Sequence, residues 1–239
     1  LYFIDLTDEE IEQLSHLIHE TYSKCGGFFV GDTIQEEIEP QLYLGKTFPT
    51  NHRTVEDLLP QLNASNIEQS IMNFSTGFKS RFHKSLTGLD FPEQLKKIFM
   101  QYSNHRTDIS TELITHVNTK QKSLRSRIIG SKDPSKIIVL GGHLDSITGS
   151  PDNAPGADDN ASGLSAVLEV FRVLSQSNFQ PDYTIDFFGY AAEEVGLVGS
   201  NEIAKAYKAN NENVVAVMQL DMVLKLSLIH ISEPTRQAE

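Results

Sequence analysis

Cysteine is nearly absent from this chain: Cys25 is the single one in 239 residues, so no internal disulfide framework can form. A nucleophilic role for Cys25 would need a base partner that the sequence does not point to, and beside Gly26 and Gly27 it reads as a small buried residue. Positive charge is also scarce. Lys and Arg total 20 against 32 Asp and Glu, a formal net charge of −12. With no basic stripe to release phosphate counterions, a nucleic-acid partner is excluded, and the acidic excess suits a protein exported into water. No apolar run approaches the ~20 residues of a membrane-spanning helix, so no membrane partner is expected. The first residue is Leu1 rather than Met, and the expectation is that a signal peptide lay upstream.

What is present is ordinary globular material, 39% hydrophobic and 22% charged, in a chain long enough for a sizeable core. Thr7 with Glu10 forms a capping-box pattern, and Ile11, Leu14, Ile18 and Tyr22 then recur at helical spacing until Gly26 and Gly27. A linker follows, through Pro40, Gly45, Pro49 and Asn51. A second helical region runs from Val55, breaks at Pro60, and continues through Ile67, Ile71 and Phe74. The spacing predicts a third helix from Pro92 to Tyr102, with Pro92 in its first turn, where a missing N–H costs little.

Beyond this point the periodicity changes. Residues Glu112–Val117 and Ser123–Ile129 alternate as half-buried strands do. Ile137–Leu140 is a continuous apolar run, as expected of a strand covered on both faces. Helices are predicted over Asp159–Leu174 and Leu197–Ala209, and further buried strands over Thr184–Tyr190 and Val214–Leu220. The alternation implies an α/β fold: a mixed, centrally parallel sheet flanked by helices and preceded by a helical segment.

Chemistry-bearing residues share one address. His143 and Asp145 follow the first buried strand, Glu193 and Glu194 the next, Asp221 the last, and Asp158-Asp159-Asn160 leads into a helix. In open α/β sheets, sites form at the carboxyl ends of strands. Singly, each cluster is ordinary: a solvated histidine, a helix cap, an acidic edge, a turn aspartate. Jointly, acidic groups converging on an imidazole would repel one another unless cations held them, and metal is the simplest resolution. Glu193 and Glu194 are adjacent, so in extended chain they point to opposite sides and should do different jobs.

The runs Gly-Gly-His143-Leu-Asp145-Ser, Ala-Pro-Gly-Ala-Asp158-Asp-Asn-Ala-Ser-Gly, Tyr-Ala-Ala-Glu193-Glu194-Val-Gly-Leu-Val-Gly-Ser and Met-Gln-Leu-Asp221-Met resemble the secreted bacterial leucyl aminopeptidases, a family of co-catalytic two-zinc exopeptidases. The resemblance covers Val55 to Met222. It implies residues 1–50 as a pro-region and linker, 51–222 as an incomplete catalytic domain, and an extracellular monomer acting on peptides with a free N-terminus, leucine or another large apolar residue first. By the same resemblance, His143 and Asp221 ligate the first Zn2+ and Glu194 the second, while Asp158 bridges both and is followed by a cis peptide bond, Asp158–Asp159. Asp145 orients the His143 imidazole, Glu193 is the general base toward the water between the metals, and Met222 lies in the pocket for the first side chain.

The pattern departs after Met222. The family's last histidine ligand is not found, His230 stands in unrelated surroundings, and residues 223–239 read as a foreign tail. The expectation is therefore at most one tightly held zinc in this chain and little activity. Two other readings stand beside the peptidase: a one-zinc glutaminyl-cyclase-like enzyme, and a catalytically dead binding homologue on the same fold.

Overall fold

In the computed structural model, residues 6–22, 52–103, 106–177 and 179–224 are described. Helix α1 spans Asp8–Tyr22 and starts at the capping box read from sequence: the Thr7 N–H donates to Glu10 Oε2 at 2.8 Å, and the Glu10 N–H to Thr7 Oγ1 at 3.3 Å. The expected stop at Gly26 and Gly27, the linker and Cys25 lie outside the described residues. Helix α2 spans His52–Leu58, a short turn Leu59–Gln61 carries Pro60, and α3 spans Ala64–Thr76, capped by the Asn63 side chain accepting from the Ser65 N–H at 3.0 Å.

Helix α4 spans Leu86–Ser103, so Pro92 lies inside it and not in its first turn. The missing N–H would have served the carbonyl of Gly88, four residues earlier. That carbonyl instead accepts from Gln121 Nε2 at 2.9 Å, which is why the helix tolerates the proline.

Five strands form one sheet: β1 Ile109–Ile114, β2 Ser123–Ile128, β3 Asp133–His143, β4 Tyr183–Tyr190 and β5 Asn213–Gln219, in the order β1-β2-β4-β3-β5. β3 runs parallel to β4 and to β5, and β2 is antiparallel to β4 and β1. The first strand ends at Ile114, earlier than the Val117 read from sequence, because residues 115–118 turn away toward α6 (Val198–Ala209). Helix α5, Gly163–Gln176, starts later than Asp159, because Ala157–Ser162 form a kinked turn of their own.

Helices α3, α4 and α5 cover one face of the sheet, where Phe171 packs against Phe99 at 4.6 Å and Phe187 at 5.2 Å between ring centroids. On the other face Ile203 of α6 packs with Ile137, Val139, Phe188 and Tyr190. β5 was expected to be buried. It is an edge strand with Val215, Val217 and Met218 exposed, since among the described residues only β3 pairs with it.

Candidate metal centre

The carboxyl ends of β3, β4 and β5 meet at one place because their register makes them end together: His143 pairs with Tyr190, and the Leu220 N–H donates to the Gly141 carbonyl at 2.8 Å. His143 is the last residue of β3 and is fully buried. Its Nδ1 faces Asp145 Oδ1 at 3.4 Å, and its Nε2 faces Asp159 Oδ1 at 3.0 Å, Asp221 Oδ1 at 3.6 Å and Glu193 Oε2 at 3.8 Å.

The acidic loop differs from the sequence reading by one residue. The cis peptide bond is Asp159–Asn160, not Asp158–Asp159, and the aspartate against His143 is Asp159. Asp158 turns the other way, its Oδ1 accepting from the Leu224 N–H at 3.1 Å and Ser162 Oγ at 3.3 Å. The pair follows the alternation of extended chain, since Asp159 (φ −100°, ψ 100°) and Asn160 (φ −128°, ψ 42°) are not helical. Asn160 has no role of its own in the sequence reading of the Asp158-Asp159-Asn160 cluster, yet it ties this loop to the end of β5: its Nδ2 donates to the Leu220 carbonyl at 2.9 Å, and its Oδ1 accepts from the N–H groups of Gly163 and Met222. Gly163 is required there, because a Cβ would stand 2.3 Å from the Leu220 carbonyl oxygen.

Asp145 is fully buried and holds the glutamate pair by its backbone. Its Oδ1 accepts from the Glu193 N–H at 2.9 Å and its Oδ2 from the Glu194 N–H at 3.1 Å. Glu194 is buried, but its carboxylate is not among the donors gathered with His143 and Asp221. Met222 has φ 47° and gives its N–H to Asn160. His230 lies outside the described residues.

Arg81 is the other residue that sequence reasoning missed. It is fully buried, and its guanidinium donates to the carbonyls of Leu144 (2.9 Å), Gly156 (2.9 Å), Phe74 (3.3 Å) and Pro155, with Phe91 under it. Burial pulls its pKa down to about 10, opposed by the nearby Asp145, Asp159 and Glu194. No periodicity marks such a residue, and with Lys79 and Lys84 in the same stretch between the two helices its charge does not set it apart either.

The electrostatics are those of crowded anions. Burial pushes Glu193 up to about 7; His143 opposes this, while Asp145, Asp221 and Asp159 add to it. Burial alone would depress His143, but Glu193, Asp145, Asp159 and Asp221 lift it well above its ordinary value. Among the described residues, buried Oδ1 of Asp221 and Oε2 of Glu193 have no hydrogen-bond partner. His143, Asp159 and Asp221 each offer a donor atom within 4.8 Å of the others, a set of one nitrogen and two oxygens that fits zinc.

Residues 127–234 match Peptidase family M28. Leucine aminopeptidase 1 of Blastomyces gilchristii is 34% identical over 209 residues, 82% of this chain and 53% of its own. The chain spans about half the length of the curated relatives it matches. Among solved structures, the Legionella pneumophila LapA aminopeptidase is similar with a TM-score of 0.73 at 27% identity, over 90% of this chain and 60% of that one. A glutaminyl cyclase from Bacteroides thetaiotaomicron shares the fold, with a TM-score of 0.53 at 19% identity over 69% of this chain and 63% of that one. The likeness thus reaches fungal as well as bacterial proteins, and over residues 127–234 the chain is similar to Peptidase family M28.

Proposed function

We propose that this chain is a zinc aminopeptidase that removes the N-terminal residue of peptides, leucine or another large apolar one, with Glu193 as general base. The observation that carries it is the meeting of His143, Asp159 and Asp221 at one point, with Glu193 Oε2 3.8 Å from the same imidazole nitrogen. His143, Asp159 and Asp221 would hold a zinc ion. Zinc in such a place supplies Lewis-acid polarisation of a carbonyl and acidifies water. Glu193 is suited to its part by position and by a pKa of about 7, near the working pH at which a base can both take a proton and return it. Asp145 faces the imidazole at 3.4 Å and accepts from both glutamate N–H groups, so one buried carboxylate stands against both His143 and the loop of the base. Fungal relatives named leucine aminopeptidase support the substrate class, and the acidic surroundings suit a substrate's free α-ammonium group.

The resemblance implies two zincs, with Asp159 now taking the bridging place and Glu194 serving the second. Met222 belongs to the same proposal as part of the first-residue pocket. Among the described residues one set of three donors is gathered, which favours one tightly held zinc and keeps a one-zinc glutaminyl cyclase as the second reading. The test incubates the full chain, loaded with zinc, with leucine amide and with a peptide bearing N-terminal glutamine. Release of free leucine supports the aminopeptidase, ring closure of the glutamine supports the cyclase, and neither product with full metal occupancy supports a binding protein. Zinc analysis should give one stoichiometric ion, and two would overturn the one-site expectation.

A further inference from the structure

The loop that carries the proposed base is held from a direction the reaction does not explain. Four successive backbone N–H groups, Ala191 to Glu194, each point at a side-chain oxygen. Ala191 donates to Ser123 Oγ at 2.9 Å, Ala192 to Gln121 Oε1 at 3.0 Å, and Glu193 and Glu194 to the two oxygens of Asp145. The carbonyls are bound too: those of Ala191, Ala192 and Glu193 accept from Gly199, Val198 and Gly196 with Leu197, respectively. Ala191 and Ala192 are fully buried, so water cannot replace these partners. Ala192 also has φ 49°, a left-handed conformation that an alanine keeps only where its surroundings impose it.

We propose that Gln121 and Ser123 are positioning residues for Glu193: with Asp145 they hold the Ala191–Glu194 backbone and so set where the Glu193 carboxylate stands. This rests on the reading of Glu193 as the base. Asp145 alone does not do it, because it takes only the glutamate N–H groups and leaves those of Ala191 and Ala192 to Ser123 and Gln121.

Each of the two residues is itself locked. Gln121 is fully buried, with Oε1 on an N–H and Nε2 on two carbonyls, Gly88 at 2.9 Å and Arg81 at 3.3 Å. Turning the amide over would set like against like at all three contacts. The Gly88 carbonyl lacks its helical donor because Pro92 has no N–H, and Gln121 takes that place. Ser123 Oγ accepts from Ala191 and shares a hydrogen bond with His116 Nε2 at 2.7 Å, and His116 Nδ1 faces Glu202 Oε2 at 3.2 Å. Glu202 also accepts from the Val117 and Asn118 N–H groups, which anchors the row to the turn after β1 and to α6. A serine, histidine and glutamate in line have the order of a nucleophilic relay, but Ser123 is fully buried and its oxygen is taken by a backbone N–H. Its geometry holds a loop and reaches no substrate. The sequence carries a mark of this: Thr119, Gln121 and Ser123 alternate buried with exposed Lys120 and half-buried Lys122, a polar stripe facing inward where an apolar one would be usual.

The test compares Gln121→Met and Ser123→Ala with the parent chain and with Ser123→Thr, which keeps the accepting oxygen. Expected is a fall in kcat of about 100-fold for Gln121→Met and Ser123→Ala, with KM and zinc content unchanged, since misplacing a catalytic group by about 1 Å costs that much. Ser123→Thr should recover most of it. Amide exchange at Ala191 and Ala192 should quicken at least about 10-fold in the two disrupting variants, as a locally loosened segment does. Undiminished kcat in both, or a loss that only tracks lost zinc or lost folded protein, would overturn the proposal, as would unchanged exchange at Ala191 and Ala192. A parent chain that releases no leucine would instead sink the aminopeptidase reading, and the exchange measurement would still decide whether the two side chains order the loop.

Discussion

Two aspartates one bond apart do different work, and the difference is a matter of which way each side chain leaves an extended backbone. Asp159 Oδ1 lies 3.0 Å from His143 Nε2, while Asp158 accepts from Leu224 and Ser162. Asp159→Asn should therefore weaken zinc binding by more than the about 10–100-fold that losing an outer partner costs. Asp158→Asn should leave zinc affinity nearly intact and cost about 0.5–1 kcal/mol of stability, the scale of a lost cap. Zinc titration of both variants separates them, and equal losses would return the metal role to Asp158. At Glu193 the expectation concerns rate: Glu193→Gln keeps the shape, removes the proposed base, and should lower kcat by about 10²–10⁴-fold without lowering zinc content. Sequence could give the address of the acidic loop but not the turn of its backbone, which depends on Asn160 bonding to the end of a strand 60 residues away.

At the scale of elements, most of the architecture was legible because its signals are local. The capping box at Thr7, the apolar stripe of α5 and the run at Ile137–Leu140 each state a period and a burial. Three elements misled for non-local reasons. The chain after Ile114 leaves the sheet toward α6, β5 exposes Val217 and Met218 at the edge, and α4 continues through Pro92 because a distant glutamine takes the orphaned carbonyl. The same place sets a stability test. A Cβ on Gly88 would lie 2.0 Å from the Phe82 carbonyl oxygen, backbone that cannot simply step aside. Gly88→Ala should therefore cost about 1–3 kcal/mol, the range for overpacking, and lower the melting temperature by about 2–12 °C. Thermal unfolding followed by circular dichroism reads this directly, and an unchanged melt would mean that the start of α4 yields more easily than its contacts imply.

For the whole molecule, the crowded carboxylates couple folding to pH and to metal, and the sign can be worked out. Glu193 has its pKa raised to about 7, so in the metal-free chain the folded state binds its proton more tightly than the unfolded state does. Stability then falls as pH rises from about 4.5 to 7, by up to about 3 kcal/mol. His143, raised well above its ordinary value, adds a contribution in the same direction, complete below about pH 6.5 and lost as pH climbs through its folded pKa. Asp145 is depressed and acts oppositely, but its contribution is lost only on acidification toward its ordinary range, outside this window. Buried Arg81, whose charge persists to about pH 10, limits the repulsion without removing it. Zinc competes with these same protons, so its stabilisation should grow as pH rises. At a concentration about 100 times its Kd, zinc adds about 2.7 kcal/mol, or about 5–10 °C in melting temperature. Melts in chelator and in zinc at pH 5.5 and pH 8 test both signs together. The chelated chain should be less stable at pH 8 than at pH 5.5, and the zinc-induced rise should be larger at pH 8. A chelated chain that gains stability toward pH 8 would show that the carboxylates around His143 are not held together as the folded geometry requires.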